Sequence, residues 1–325
     1  ENASVLGWGK QGVETDLAGY ISRDLTESDF VDSLFIARQG EKVWGVPHGA
    51  NPIALAYNKT IFDAASEPYP TDDWTYDDMI ACGKRLNSDT VYGFLTTVNI
   101  TQGWFPWIKG AGGNCLDQTL TDADFLNPLT KAGIAKWANT FLVDKIAPDT
   151  SMGTPVLFGT GHGAMAFVQY SEINGLNTNY PTLNYDTVMI PKATDGSGKR
   201  YVTNISNSWL INSGAASASK DAAWEFIKHY LSAEGQDEVA KFGAALPIRK
   251  SSMAEISTST KPNNKAAFTM GIEIGGTTMD ETAAWDHWRR NANTIFMSIY
   301  EGTKSVDEGL AEIQTYVQGI LDANR

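Results

Sequence analysis

Residues Glu41 to Phe62 read EKVWGVPHGANPIALAYNKTIF. The short apolar run Val43-Trp44-Gly45-Val46 enters a turn at Pro47 to Gly49, and a second run, Ile53 to Tyr57, leaves it. Apolar runs of this length, bounded by turn residues, predict strands over 42–46 and 53–57. Between them lie His48, Asn51 and the bare backbone at Gly49 and Ala50, whose polar groups must be satisfied. The segment therefore presents donors and acceptors between two apolar strands.

Outward from this stretch the pattern alternates. Thr75 opens a helix whose apolar positions are Met79, Cys82 and Leu86. A strand is expected at Val91 to Leu95, then a helix at Trp104 to Lys109 entering the Gly110 to Gly113 turn. Leu129 to Val143 has helical spacing, stopped by Pro148. Leu157 to Tyr170, LFGTGHGAMAFVQY, combines a glycine turn with an apolar strand. Its Gly159-x-Gly161-x-Gly163 has no following Lys-Ser or Lys-Thr, so it is not a phosphate-binding loop, and it lacks the dinucleotide spacing. Strands follow at 188–191 and 209–211, and a helix at Lys220 to Leu231. The last forty residues carry two apolar helical faces, Ala292-Ile295-Phe296-Ile299 and Val306-Leu310-Ile313-Val317-Ile320. Strands alternating with helices imply an α/β fold with mainly parallel sheets. No long linker separates consecutive domains, so a chain crossing more than once between two lobes fits the pattern.

The 325 residues are enough for about two domains, and the 42% hydrophobic composition supports real cores. A net charge of -13 opposes non-specific binding to nucleic acid and to anionic membranes. No apolar window is long enough to span a bilayer, and no signal segment opens the chain. Cys82 and Cys115 specify no disulfide framework and read as reduced thiols. The four histidines have no metal-ligand spacing, so neither a metal nor a cofactor is expected. The ten tryptophans are unusual. Trp104-Phe105-Pro106-Trp107 and Trp285-x-x-Trp288 are dense enough to form a working surface as well as core.

Taken in order, these motifs resemble the extracellular sugar-binding proteins of bacterial ABC transporters, the broad family that contains maltose-binding protein. The resemblance runs from Trp44-Gly45-Val46-Pro47 with Tyr57-Asn58-Lys59-x-x-Phe62 to Trp74-Thr75-Tyr76-Asp77-Asp78-Met79. It continues through the aromatic segment Trp104 to Gly113, the turn and strand Leu157 to Met165, and Trp209-x-Ile211 with Ala222 to Ile227. Leu246-Pro247 and Gly302 to Glu308 complete it. The resemblance implies a two-lobed, periplasmic-binding-protein-like fold with a central cleft. Crossings are expected near His48 to Leu55, Thr203 to Leu210 and Phe268 to Thr282. Lobe one would comprise 1–50 and 208–270, and lobe two 51–207 and 271–325. The family's opening strand-helix units have no counterpart before Leu17, so lobe one is expected to lack them in this chain.

The same resemblance implies a monomeric receptor outside the cytoplasm, periplasmic or extracellular, with a lipid anchor carried by an N-terminal segment. It would capture a mono- or oligosaccharide by hinge closure and present it to membrane permease subunits. A sugar ring has an apolar C–H face and a rim of hydroxyls, so its site needs aromatic platforms beside polar groups that satisfy the rim. Trp288 and Trp285, at helical i,i+3 spacing, are candidate platforms, with Trp104 or Trp107 opposite. Each ring has a competing place in the helical core. His48, Asn51, Asn207 and Ser208 are candidate hydroxyl partners at the crossings, against local turn bonding. Tyr170, Glu172 and Arg289 complete the set. A peptide or polyamine receptor is the nearer alternative, and a polyamine site would place several carboxylates in the cleft. A glycan-cleaving enzyme using Glu172 and Asp286 is the further one.

Overall fold

A computed structural model describes residues 2–31, 37–148, 153–205, 207–258, 261–273, 282 and 284–324. The helices α1 (Asn2–Lys10) and α2 (Ala18–Asp24) precede two-residue strands β1 (Arg38–Gln39), β2 (Lys42–Val43) and β3 (Val46–Pro47). The long strand β4 (Asn51–Asn58) then leads to α3 (Lys59–Ala65), α4 (Tyr76–Leu86), α5 (Phe105–Gly110), α6 (Pro128–Leu142) and α7 (Thr154–Gly159). Next come β5 (Met165–Gln169), α8 (Glu172–Asn179), β6 (Tyr185–Val188), β7 (Asn204–Ile205) and β8 (Ser208–Trp209). The remaining helices are α9 (Ser217–Tyr230), α10 (Ala233–Phe242), α11 (Ala266–Glu273), α12 (Trp285–Tyr300) and α13 (Val306–Ala323).

The opening stretch of sequence organises all of this. β4 is the centre of a sheet ordered β5-β4-β6, and β7 pairs with its first residues. Alternation along β4 sends Ile53, Leu55 and Tyr57 into one core and Ala54 and Ala56 into another. The first core holds the aromatic side chains of α4, α5, α6 and α12. The second runs from the opposite face of the sheet to Val46, Trp224 and Leu246. The small alanines let the elements on that face approach closely, while the bulky residues fill the wider space opposite. β3 pairs with β8, so two segments cross side by side at 46–52 and 203–209.

The expected parallel sheets are not what forms. β4 pairs antiparallel with β5, β6 and β7. Parallel contact is reduced to isolated bridges, including Tyr92 to Gly163 and Leu95 to Ala166. The strand expected at 91–95 is therefore only two bridges. Gly93 lies so close to Gly83 that a Cβ there would sit 2.0 Å from the Gly83 carbonyl oxygen. Of the strand expected at 209–211 only Trp209 lies in β8, and the one at 188–191 overlaps β6 only at Val188.

The helices follow their sequence signals. At α4 the Thr75 hydroxyl accepts from the Asp78 N–H at 3.2 Å, and Asp78 accepts in return from the Thr75 N–H at 2.8 Å. This reciprocal cap satisfies two N–H groups that an uncapped end would leave bare. Thr75→Ala is expected to lower stability by about 1 kcal/mol, read from the urea midpoint. An unchanged midpoint would show that solvent replaces the cap. Cys82 and Cys115 are buried and not joined to each other. The third crossing expected at 268–282 lies largely outside the described residues. Residues 261–270, expected with the first lobe, make contacts with residues 170–187. Asn177 donates to the Lys261 carbonyl, Thr187 donates to that of Asn264, and Phe268 meets Tyr170 edge-on.

Candidate functional site

The first crossing delivers Asn51 to the end of the sheet, and the rest of the site gathers there. The Asn51 amide nitrogen donates to Gln169 Oε1 at 3.2 Å and to Ser171 Oγ at 3.0 Å. Its Oδ1 accepts from the Ser171 N–H at 2.8 Å, and its own N–H donates to Asn204 Oδ1 at 2.8 Å. Asn51 thus ties both crossing segments to the end of β5.

Glu172 extends this network. One of its oxygens, Oε2, accepts from the Gln169 N–H at 2.9 Å and from Gln102 Nε2 at 2.7 Å. Gln102 Nε2 also donates to the Phe167 carbonyl at 2.9 Å. Gln102 sits in a wide helical turn, Ile100–Trp104, opened by Asn99, whose side chain accepts from the Gln102 N–H. Burial raises the Glu172 pKa from its usual value, and the two donors at Oε2 oppose that shift. Asn51, Gln169, Ser171 and Glu172 are all part-exposed. The result is a small shelf of amides, a hydroxyl and one carboxylate, held by its own bonds at the end of β5.

Three of the expected aromatic platforms are elsewhere. Trp104 is fully buried and stacks on Phe296, with ring centroids 4.3 Å apart. Trp107 is buried against Tyr76 at 5.1 Å, and Trp288 is buried edge-on to Phe125 at 6.1 Å. The apolar stripe of α12 includes Trp288 along with Ala292, Ile295, Phe296 and Ile299. That stripe faces α6, Phe125 and the Ile100–Trp104 turn, so these rings stabilise the core and offer no face to a ligand. The Trp285 side chain lies outside the described residues.

The other candidates divide. Tyr170 is buried against Phe268, between two residues of the polar shelf. Arg289, next to the buried Trp288, is half-exposed. Asn207 is exposed, and its carbonyl accepts from the His48 N–H at 3.0 Å. Ser208 is half-buried in the ladder opposite Pro47. The His48 ring is half-buried beside Trp209, away from the Asn51 bonds, and burial lowers its pKa.

Gln102, Gln169 and Ser171 were not legible as members of this candidate site. Asn99-Ile100-Thr101 reads first as a glycosylation sequon. The signal that was present is Asn99 three residues before Gln102, the spacing of a helix cap. Among the described residues no cluster of His, Cys, Asp and Glu is arranged to hold a metal ion. No described helix is long and apolar enough to cross a membrane.

Known proteins place this architecture. An ABC substrate-binding protein from Listeria monocytogenes, in complex with cycloalternan, superposes with a TM-score of 0.89. Its identity is 19%, over 98% of this chain and 83% of that one. The cyclic alpha-maltosyl-1,6-maltose binding protein from Arthrobacter globiformis gives 0.80, at 21% identity over 97% and 83%. UgpB from Mycobacterium tuberculosis, in complex with glycerophosphocholine, gives 0.85, at 18% identity over 98% and 81%. No curated protein sequence matches the chain. Residues 1–268 match the family model of the bacterial extracellular solute-binding proteins. With most of its length matched to that model and its fold shared with those structures, the chain belongs to the bacterial extracellular solute-binding protein family.

Proposed function

We propose that this chain is the receptor of an ABC transporter that captures a saccharide between its two lobes and hands it to the membrane permease. The observation that carries this reading is the shelf of Asn51, Gln102, Gln169, Ser171 and Glu172 at the crossing. Neutral amides and a hydroxyl surround a single carboxylate, a set suited to sugar hydroxyls, each of which both donates and accepts. Two donors fix Oε2 of Glu172, so the carboxylate is oriented before any ligand arrives. Residues 1–50 and 208–258 would form one lobe and 51–207 the core of the other, closing by bending at 46–52 and 203–209. The solved relatives bound to cycloalternan, or named for cyclic maltosyl-maltose, support a carbohydrate ligand.

Among the described residues the shelf holds one carboxylate, which weighs on the alternatives; the Asp286 side chain lies outside the described residues. A polyamine carries several cations and needs several acids. Glycoside hydrolysis needs a carboxyl pair flanking the bond. Simple reversible capture uses the shelf as it stands, with neither metal nor cofactor.

Titration calorimetry of the ligand-free protein against neutral and acidic oligosaccharides, spermidine and short peptides tests this reading. Saturable binding of a neutral saccharide, with no turnover, is expected. Spermidine or peptide binding without any saccharide binding would reject the carbohydrate assignment, and release of a cleaved glycan would reject simple capture. For the saccharide that binds, Asn51→Ala is expected to weaken affinity about 10- to 100-fold, the loss of one or two buried hydrogen bonds and the shelf's alignment. Unchanged affinity in a folded Asn51→Ala protein would move the site elsewhere.

A further inference from the structure

The wide turn at Ile100–Trp104 carries a buried amide whose orientation is fixed by its neighbours. Gln102 is 7% exposed. Its side-chain nitrogen faces two acceptors, the Phe167 carbonyl at 2.9 Å and Glu172 Oε2 at 2.7 Å. Only the NH2 end of an amide can serve two acceptors, since its oxygen has no proton to give. The other end agrees. Gln102 Oε1 accepts from Asn99 Nδ2 at 3.4 Å, while Asn99 Oδ1 accepts from the Gln102 N–H at 2.8 Å. Asn99 thus holds Gln102 by backbone and side chain together.

The turn is anchored beyond Gln102 as well. A Cβ at Gly103 would lie 2.2 Å from the Thr97 carbonyl oxygen, so the backbone passes there at the closest approach that glycine allows. Trp104 follows, locked in the core by its stack on Phe296 and its bond to Asn293. Gln102 therefore reaches from a fixed backbone to the first residue of α8, Glu172. There the two carboxylate oxygens are unequal. Oε2 accepts from Gln102 and from the Gln169 N–H. Oε1 accepts no hydrogen bond among the described residues and reaches solvent. The shelf side chains around it, Asn51, Gln102, Gln169 and Ser171, are neutral, and no charged group among the described residues acts on Glu172. The titratable neighbour, Tyr170, turns its ring to Phe268. With no cation present, the two donors at Oε2 are what favour the ionised form against burial.

We propose that Gln102 is a positioning residue for ligand capture: it commits Glu172 Oε2 to the protein and leaves Oε1 alone to accept one hydroxyl of the saccharide. The inference rests on the saccharide reading above and narrows it. A guanidinium fork needs both carboxylate oxygens, and here one is taken. A sugar hydroxyl offers a single O–H and needs only one.

Two variants test this. Gln102→Met keeps the length of the side chain and removes the donor, and Asn99→Ala keeps the donor and frees it, carrying the test should Gln102→Met not fold. NMR of the ligand-free protein with isotope-labelled glutamate follows the Glu172 carboxyl directly. Its titration midpoint is expected to rise in Gln102→Met, and to rise less in Asn99→Ala. Calorimetry then screens neutral oligosaccharides, cycloalternan among them, across the same pH range. Between the parental and variant midpoints the parent offers a carboxylate and the variant a neutral acid, so the variant's affinity is expected to be about 10-fold weaker there. Above both midpoints the gap should narrow. A side chain that only props the turn would weaken binding equally at every pH. A Glu172 midpoint unmoved in both variants overturns the proposal, as does a moved midpoint with a pH-independent loss of affinity. A moved midpoint in a protein whose parent binds no saccharide would reject the saccharide reading and leave Gln102 as the residue that holds Glu172.

Discussion

Replacing Trp104 with alanine is expected to cost about 3–5 kcal/mol of folding stability. The ring has no exposure, stacks on Phe296 of α12 and meets Phe105 edge-on at 6.3 Å. Removing it leaves a cavity at the junction of α5, α6 and α12, where neighbouring aromatic side chains from three helices are locked against one another and cannot collapse inward. The indole also donates to Asn293 Oδ1 at 3.0 Å, so the alanine leaves a polar atom unsatisfied at the same spot. Trp104→Phe should recover part of the packing term but not the hydrogen bond. Urea unfolding of the three proteins, alongside calorimetry with the saccharide that binds best, separates core from platform. A core residue loses stability while any folded fraction keeps its affinity. A Trp104→Ala protein with the parental midpoint and no saccharide binding would restore the ring to the site.

That distinction explains how the tryptophans could be read two ways. Helical spacing puts Trp288 on a stripe with Ala292, Ile295 and Ile299, and a stripe says only that these residues share a face. Whether the face meets a ligand or another helix depends on α6, Phe125 and the Ile100–Trp104 turn, more than a hundred residues earlier. The helices themselves were legible, because caps such as Thr75-x-x-Asp78 and apolar periodicity are local. β4 was legible for the same reason. The direction of its neighbours was not, because the ladder between Ile53 and Gln169 joins segments more than a hundred residues apart. The candidate site was half legible. Asn51 lay in the stretch that announces the crossing, and Glu172 followed an obvious strand. Their partners are set by bonds spanning 70 residues, from Gln102 to Glu172, and 120 residues, from Asn51 to Ser171. Nothing in the spacing of polar residues along the chain encodes such distances.

Glu14 gave no signal at all, yet among the described residues it carries a large pH effect between pH 4.5 and 7. It lies between Val13, whose carbonyl accepts from the Ser213 N–H, and Thr15, which donates to the Ile211 carbonyl. It is 5% exposed, and both carboxylate oxygens are buried without a hydrogen-bond partner. Burial alone pushes its pKa from 4.5 to about 7. Below pH 4.5 the carboxyl is protonated in folded and unfolded chains alike, and the burial costs no charge. Between 4.5 and 7 the unfolded chain releases the proton while the folded one holds it, so stability falls as pH rises. Above 7 the folded protein carries a buried, unpaired charge at a cost of about 3 kcal/mol. Glu14→Gln keeps the shape and cannot ionise. It is expected to match the parent near pH 4.5, where both side chains are neutral, and to exceed it by about 3 kcal/mol at pH 8. Urea midpoints of both proteins at the two pH values read this directly, because every other titrating group cancels in the comparison. A stability difference that stays the same from pH 4.5 to pH 8 would mean that Glu14 ionises in the folded protein as easily as in the unfolded one.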